Sequence, residues 1–354
     1  MDERVPVAVI GAGHMGQHHV RTYSQMPGVR LVAVVDEVLD RARQLAEPLG
    51  AKFANRLTPE LGDVAAASIA VPTKLHLEVS RPLIERGMHL LIEKPLAPTG
   101  TEAAQIVALA RQRGVLVQVG HTERFNPAVR AVERLGLRPK FVETHRISPF
   151  TFRSADIGVV FDLMIHDIDI LLHLVRDEVL RVDAVGVNVL GRHEDIANAR
   201  VTCRGGAVAN LTASRLALKT ERKLRVFAEK AYVSLDYQKK VGVAIKLDQN
   251  LDVLKLARER NLEDLSQIAG LDFGKLVHVE PLQIDDQDPL RAELDSFLES
   301  IRTGRTPLVS AEDGLAAVRL AEQIVASLNE HRWDGEGSER VGLAADIFGQ
   351  AVER

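Results

Sequence analysis

Gly11, Gly13 and Gly16, within V-A-V-I-G-A-G-H-M-G from Val7 to Gly16, are spaced G-x-G-x-x-G directly after four apolar residues. At a strand-to-helix turn each glycine has its own task. Gly11 permits the tight turn, Gly13 lets backbone N–H groups approach a pyrophosphate, and Gly16 allows close packing of helix on strand. His14 and Met15 open the helix, whose N-terminus adds partial positive charge. Glycine-rich turns follow many strands, so the triplet needs context. A second apolar run, Val29 to Val35, supplies it by ending in Asp36, about 20 residues beyond Gly16, where a carboxylate accepts ribose hydroxyls and repels a 2′-phosphate. Glu37 adds a second negative charge. The expected cofactor is a dinucleotide, NAD in preference to NADP.

Glu93-Lys94-Pro95 closes another apolar run. A lysine at that end can hydrogen-bond a substrate hydroxyl, although strand ends also commonly carry plain surface lysines. Asp162 and His166, in F-D-L-M-I-H-D-I-D-I, are four residues apart, which on a helix gives one face with Cβ atoms about 5–6 Å apart. That suits a general base beside a carboxylate, His166 taking a hydroxyl proton as hydride leaves carbon. Two alternatives stand beside it: a satisfied histidine on a half-buried helix, or a metal held by Asp162, His166 and Asp169. Asp169 lies about two helical turns from Asp162, too far for three converging ligands without distortion, so no metal is expected.

His121, Glu123, Arg124 and Asn126, in G-H-T-E-R-F-N-P-A-V, fall where the pattern of the chain changes, and such junctions favour ligands. Asn126-Pro127 also reads as an N-cap followed by proline at the first helical position. Arg124, Arg146, Arg153, Lys219 and Arg222 sit at expected strand ends or loops. Together they could neutralise a phosphorylated substrate, or they are solvated surface charges.

The elements that must position these residues are legible from periodicity. Strand-like runs at Val5–Ile10, Val29–Val35, Ala65–Val71, His89–Ile92 and Val115–Val119 alternate with helical stretches near 14–26, 38–48, 75–86 and 101–113. This predicts an α/β fold with a doubly wound parallel sheet, and ligand beyond the C-terminal strand ends. After residue 120 come helical 126–136, strand 140–147, helical 159–174, and strands near 180–190, 197–203, 207–213, 223–228, 231–236 and 241–247, then helices near 289–302 and 311–329. That describes an α+β domain with an open, largely antiparallel sheet, one face of which needs cover from a helix or a second subunit. Leu251 to Ala269 reads as an inserted helical element, and the insertion extends over 251–279. The expected domains are 1–122 for the dinucleotide, 123–330 for substrate and association, and a tail at 331–354, in which Val341 to Val352 could form a short amphipathic helix.

Composition narrows the classes. The 354 residues carry a formal charge of −4, with 46% hydrophobic and 27% charged residues, so nothing overall points to nucleic acid or an anionic membrane as partner. Cys203 is the single cysteine, in a strand-like run that suits a buried thiol better than a nucleophile. The first strand starts too early for a cleavable leader, and no apolar run approaches the ~20 residues of a membrane span. A cytoplasmic protein is expected.

The glycine turn, V-P-T-K-L-H from Val71 to His76, E-K-P from Glu93 to Pro95, and D-x-x-x-H from Asp162 to His166, in this order before a β-rich domain, resemble the Gfo/Idh/MocA family of NAD(P)-dependent sugar and cyclitol dehydrogenases. The likeness covers the chain to about residue 330. It implies a Rossmann domain, a second domain whose open sheet mediates homo-oligomers such as dimers or tetramers, and a cis bond before Pro95. It further implies that Pro72, Thr73 and His76 lie against the cofactor with Glu93, and that Lys94 and His166 contact the reacting hydroxyl beside Asp162. G-H-T-E-R-F-N-P-A-V, the stretch from His145 to Asp169 and A-G-L-D-F-G-K-L-V resemble members acting on UDP-sugars. That narrower likeness implies oxidation of the 3-hydroxyl of UDP-N-acetylglucosamine, toward 2,3-diamino sugars. Met164 departs from the small residue many members carry there. A free sugar or inositol dehydrogenase and an idle NAD-binding interaction protein are the competing readings.

Overall fold

A computed structural model describes residues 4–58, 61–150, 157–190, 192–247 and 277–331. The expected insertion helix at 251–269, the tail beyond His331 and Arg153 lie outside the described residues. Two compact units emerge: Met1–Asn126 with Ile168–Leu172 and Gln287–Ala326, and Pro127–Asp167 with His173–Asp286 and the stretch from Ser327.

In the first unit, β-branched runs with both faces covered make a parallel sheet. Its strands are β1 (Val5–Ile10), β2 (Val29–Val35), β3 (Lys52–Ala54), β4 (Ala66–Ile69), β5 (His89–Glu93) and β6 (Val117–Gly120), in spatial order β3-β2-β1-β4-β5-β6. The edge strand β3 was not expected from sequence; it has only three residues, one of them a lysine. Helices α1 (His14–Ser24), α2 (Leu39–Ala46), α3 (His76–Glu85) and α4 (Gly100–Arg113) cross between strands. Helix α4 follows local chemistry at both ends: Thr99 accepts the Glu102 N–H at 3.2 Å, and Gly114 ends the helix at φ 64°. In α1, buried Tyr23 fixes the helix on the sheet through a 2.9 Å hydrogen bond to Ser68.

The second unit starts with α5 (Pro127–Arg134). Its sheet comprises β7 (Pro139–Ile147), β8 (Val179–Val187), β9 (Ile196–Cys203), β10 (Val208–Ser214), β11 (Glu221–Ala228), β12 (Ala231–Asp236), β13 (Val241–Leu247) and β14 (Val277–Pro281). The order is β14-β13-β12-β11-β7-β10-β9-β8, antiparallel except between β7 and β10. Alternation puts Ala197, Ala199, Val201, Leu211, Val226 and Val233 inward, and leaves Asn198, Arg200 and Arg225 on the opposite, open face. Cys203 is buried, and burial first, then Asp177, raises its thiol pKa.

The regular helix expected over 159–174 is two elements. A π-helical turn spans Val160–Met164, and α6 follows as Ile165–Val175. Beyond the second sheet come α7 (Pro289–Thr303) and α8 (Ala311–Glu330). The sequence pattern groups α7 with residues 123–330, but its apolar stripe settles the matter: Leu294, Phe297 and Leu298 share one buried cluster with Val7, Val9, Val34 and Leu91 of the parallel sheet. Asp288 caps α7 by accepting the Arg291 N–H, with Pro289 at the first helical turn.

If α7 completes the core of the parallel sheet, Phe297→Ala lowers unfolding free energy by roughly 3–5 kcal/mol. Denaturant titration checks this; a loss below about 1 kcal/mol would place the stabilising contacts of α7 elsewhere.

Candidate active site

Gly11 ends β1 at φ 98°, where a Cβ would collide with the Ala70 carbonyl oxygen, and a Cβ on Gly16 would collide with the Gly11 carbonyl oxygen. Both positions require glycine for close backbone approach. Gly13 differs: a Cβ there meets nothing within 4 Å, so open space faces the first turn of α1. The backbone N–H groups of His14 and Met15 belong to that turn. Asp36 at the end of β2 accepts the Ala12 N–H on Oδ2 at 2.7 Å and the Val38 N–H on Oδ1 at 2.9 Å. Its carboxylate thus ties the glycine turn to the second strand, and each oxygen keeps a lone pair for a ribose hydroxyl. Open space at a helix N-terminus with a carboxylate beside it fits a dinucleotide.

Val71 and Pro72 follow β4, and Thr73–Leu75 form a 3₁₀ turn before His76 opens α3. The resemblance sets His76 against the cofactor. Its ring instead is buried, Nδ1 lying 3.0 and 3.2 Å from the Pro95 and Leu96 carbonyls and Nε2 3.1 Å from that of Val71. His76 therefore stitches the 71–76 segment to the turn after β5. Burial lowers its pKa, against the carbonyls at Val71, Leu96 and Pro95, which raise it.

That turn contains Lys94, half-buried, and the Lys94–Pro95 bond is cis, as the family resemblance implies. Glu93 is buried and bonded to His19 of α1 at 2.9 Å, so this carboxylate supports the strand end from behind. At the end of neighbouring β6, His121 is buried. Desolvation first, then the Arg124 and Lys94 cations, push its pKa down to about 3, so it stays a neutral imidazole within electrostatic reach of Lys94. Glu123 accepts from the Asn126 side chain at 2.9 Å.

A residue missed by the sequence reading stands behind these. Glu293 of α7 is fully buried, accepting from Thr122 Oγ1 at 3.0 Å, while its carbonyl accepts from Gln118 at 2.9 Å. Desolvation first, then the negative Glu93, raise its pKa well above the ordinary 4.5, which favours the protonated form. The available signal was a glutamate inside the apolar stripe of Leu290, Leu294 and Phe297.

Two members of the basic set already have carboxylate partners. Arg124 is buried, donating to Asp169 at 3.3 Å and to the Leu308 carbonyl at 3.2 Å. In the second unit Arg146 is buried in a bidentate pair with Asp167, at 3.0 and 2.8 Å, its guanidinium 5.8 Å from the Tyr237 ring centroid. Both arginines are corrections to the expectation of a phosphate cluster, because buried carboxylates already neutralise them. Lys219 and Arg222 are exposed.

Asp162 lies in the π turn and His166 in the first turn of α6, both half-buried, while Met164 points into the core. The helix-wide i, i+4 geometry expected for this pair is therefore replaced by one that crosses a π-to-α junction, a device common at functional sites. Asp169 is committed to Arg124, and among the described residues no group of three or more His, Cys, Asp or Glu could hold a metal ion.

Residues 5–121 match the "Oxidoreductase family, NAD-binding Rossmann fold" and residues 136–234 the "GFO/IDH/MocA C-terminal domain". The chain is 32% identical over 317 residues to the UDP-N-acetylglucosamine 3-dehydrogenase of Acidithiobacillus ferrooxidans, covering 89% of this chain and 95% of that protein. A solved structure of that enzyme matches with TM-score 0.81 at 30% identity over 92% of this chain and 98% of the other. Identity to the scyllo-inositol 2-dehydrogenase (NAD(+)) of Bacillus subtilis is 26% over 346 residues, 92% of this chain and 94% of the relative.

Two outcomes test this geometry. Gly13→Ala folds normally but weakens NAD binding at least tenfold, because its methyl enters open ligand space, whereas Gly16→Ala lowers the thermal midpoint because its methyl meets backbone. Equal midpoints, or native NAD affinity in Gly13→Ala, contradict the assignment. For Glu293, the folded chain holds a proton that the unfolded chain has released above the ordinary 4.5, so stability falls as pH rises through that window. Glu293→Gln removes the slope. As pH rises above the ordinary 4.5 its stability relative to the parent rises, measured by urea midpoints; parallel profiles contradict a raised Glu293 pKa.

Proposed function

Since the chain belongs to the Gfo/Idh/MocA oxidoreductase family, we propose that it oxidises the 3-hydroxyl of UDP-N-acetylglucosamine to the 3-keto sugar nucleotide. The chain is an NAD-dependent dehydrogenase. The observation that carries the substrate is the 32% identity to an enzyme of that name over 89% of this chain. NAD, when bound, supplies the hydride acceptor.

Gly11, Gly13 and Gly16 give the phosphates their approach, His14 and Met15 offer backbone N–H groups, and Asp36 accepts ribose hydroxyls and disfavours a 2′-phosphate. Lys94 hydrogen-bonds the reacting hydroxyl oxygen. His166 takes its proton, and Asp162 favours the productive orientation of the imidazole. Pro72 and Thr73 line the cofactor side. His121 presents a neutral imidazole to the substrate, and Glu123 with Asn126 forms a paired polar edge. Lys219, Arg222 and Arg153 are the cations assigned to a pyrophosphate-bearing substrate, because Arg124 and Arg146 are held in buried ion pairs.

That loss of two cations favours a second reading, a dehydrogenase of an uncharged sugar or inositol, which several relatives carry in their names. The open sheet face bears on assembly. Val185, Val187, Ile196, Val241, Val243 and Val279 are exposed along one side of the sheet, and an apolar face of this kind suits a second copy of the chain. No helix among the described residues is long and apolar enough to cross a membrane.

NADH formation against UDP-sugars, free sugars and inositols separates the readings. UDP-N-acetylglucosamine is expected to be the preferred substrate; equal turnover of free sugars or inositols overturns it. Lys94→Ala and His166→Ala each lose about 10²–10⁴-fold in turnover while still binding NAD. Near-native rates in both remove these residues from the reaction.

A further inference from the structure

We infer that Glu194, Asp195 and Arg215 are positioning residues for Asp162 and His166, clamping the backbone immediately before the π turn; the inference rests on the roles proposed above for those two side chains. The start of a helix leaves amide donors without intrahelical acceptors, and the direction of its first turns depends on what satisfies them. Here the acceptors come from one residue between β8 and β9. Val159 N–H donates to the Glu194 carbonyl at 3.0 Å, and Val160 N–H donates to the Glu194 carboxylate at 3.1 Å. From the end of β10, buried Arg215 donates Nη1–H to the Ile157 carbonyl at 2.7 Å. Three backbone groups within Ile157–Val160 are therefore held from two sides.

The holders are themselves fixed. Arg215 Nε–H donates to Asp195 Oδ1 at 2.8 Å, and its backbone N–H to the Asp195 carbonyl at 3.0 Å. Asp195 Oδ2 accepts the Val189 and Leu190 N–H groups, both at 2.7 Å, and the Asp195 N–H donates to Val187 at 2.9 Å. Asp195 is fully buried and Arg215 is 2% exposed, so neither charge has water as an alternative partner. Gly158 completes the fit: a Cβ on it would collide with the Glu194 carboxylate. The Asp162 N–H donates to the Gly158 carbonyl at 3.0 Å, so any shift of Gly158 is passed directly into the π turn. His166 follows one turn later. Catalysis is sensitive to such shifts, since a misplacement of about 1 Å can cost on the order of 10²-fold.

The variants that test the clamp leave Lys94, Asp162 and His166 in place. Glu194→Ala and Gly158→Ala are expected to lower kcat for UDP-N-acetylglucosamine at least tenfold, with the NAD dissociation constant unchanged and KM within threefold. Glu194→Gln keeps an acceptor oxygen for Val160 and retains at least half of the parent kcat. The imidazole titration of His166 by NMR, assigned by its loss in His166→Ala, gives a readout independent of substrate. It moves in Glu194→Ala and Gly158→Ala and matches the parent in Glu194→Gln. Unchanged titration in both disruptive variants overturns the clamp, as does a Glu194→Gln that behaves like Glu194→Ala. Should Glu194→Ala fail to fold, Gly158→Ala against Glu194→Gln decides by the same two readouts. An inactive His166→Ala beside fully active clamp variants refutes this inference alone; an active His166→Ala refutes the reading on which it rests.

Discussion

Close approach of backbone to backbone at the end of β1 is the constraint on which the first unit depends. Gly16 lies against the Gly11 carbonyl and Gly11 against that of Ala70, with no room for a Cβ at either point. The approach brings α1 down onto the sheet, where Tyr23 reaches Ser68 and His19 reaches Glu93. It also brings the Ala12 N–H within 2.7 Å of Asp36, so the residue proposed to read the ribose also holds the turn. Gly13 alone is spared this crowding. One glycine of the three thus borders open space and two serve packing.

The second unit solves a different problem, that of burying charge. Arg146 and Arg215 lie below the sheet surface, and each meets an aspartate in good hydrogen-bonding geometry. Pairs buried this deeply contribute little net stability, because desolvation offsets attraction, but loss of one partner leaves an unpaired charge and is costly. Their effect is to fix geometry. Asp167 is neutralised beside His166, whereas Asp162 and His166 themselves stay half-buried.

Local chemistry was legible in the sequence and tertiary partnership was not. The glycine turn, Asp36 and nearly every strand follow from runs and spacings of a few residues, whereas the cis bond before Pro95 follows from the family resemblance. Arg124 and Arg146 read as cations for a phosphate or for solvent because their partners, Asp169 and Asp167, lie 45 and 21 positions away. Glu293 bonds Thr122 across 171 positions, and its effect on the site passes through burial. The π turn escaped for the same reason: the segment is periodic enough for an α-helix, and the acceptors at its start come from Glu194, 34 positions on. Strand β3 was missed because three residues carry no period.

Burial also decides which groups at the ends of β5 and β6 can carry charge. Desolvation raises the Glu293 pKa well above the ordinary 4.5 and lowers that of His121 to about 3, so both favour their neutral forms. Glu93 has His19 as partner. Of the ionisable side chains at these two strand ends, Lys94 is the cation that is half-buried rather than sealed. A substrate hydroxyl is proposed to hydrogen-bond to it, and pH dependence of the reaction falls to the group that accepts the proton. On the proposed roles that group is His166, which separates the two tasks: polarisation of the oxygen at the sheet edge, and proton removal from a helix whose first turn is held independently.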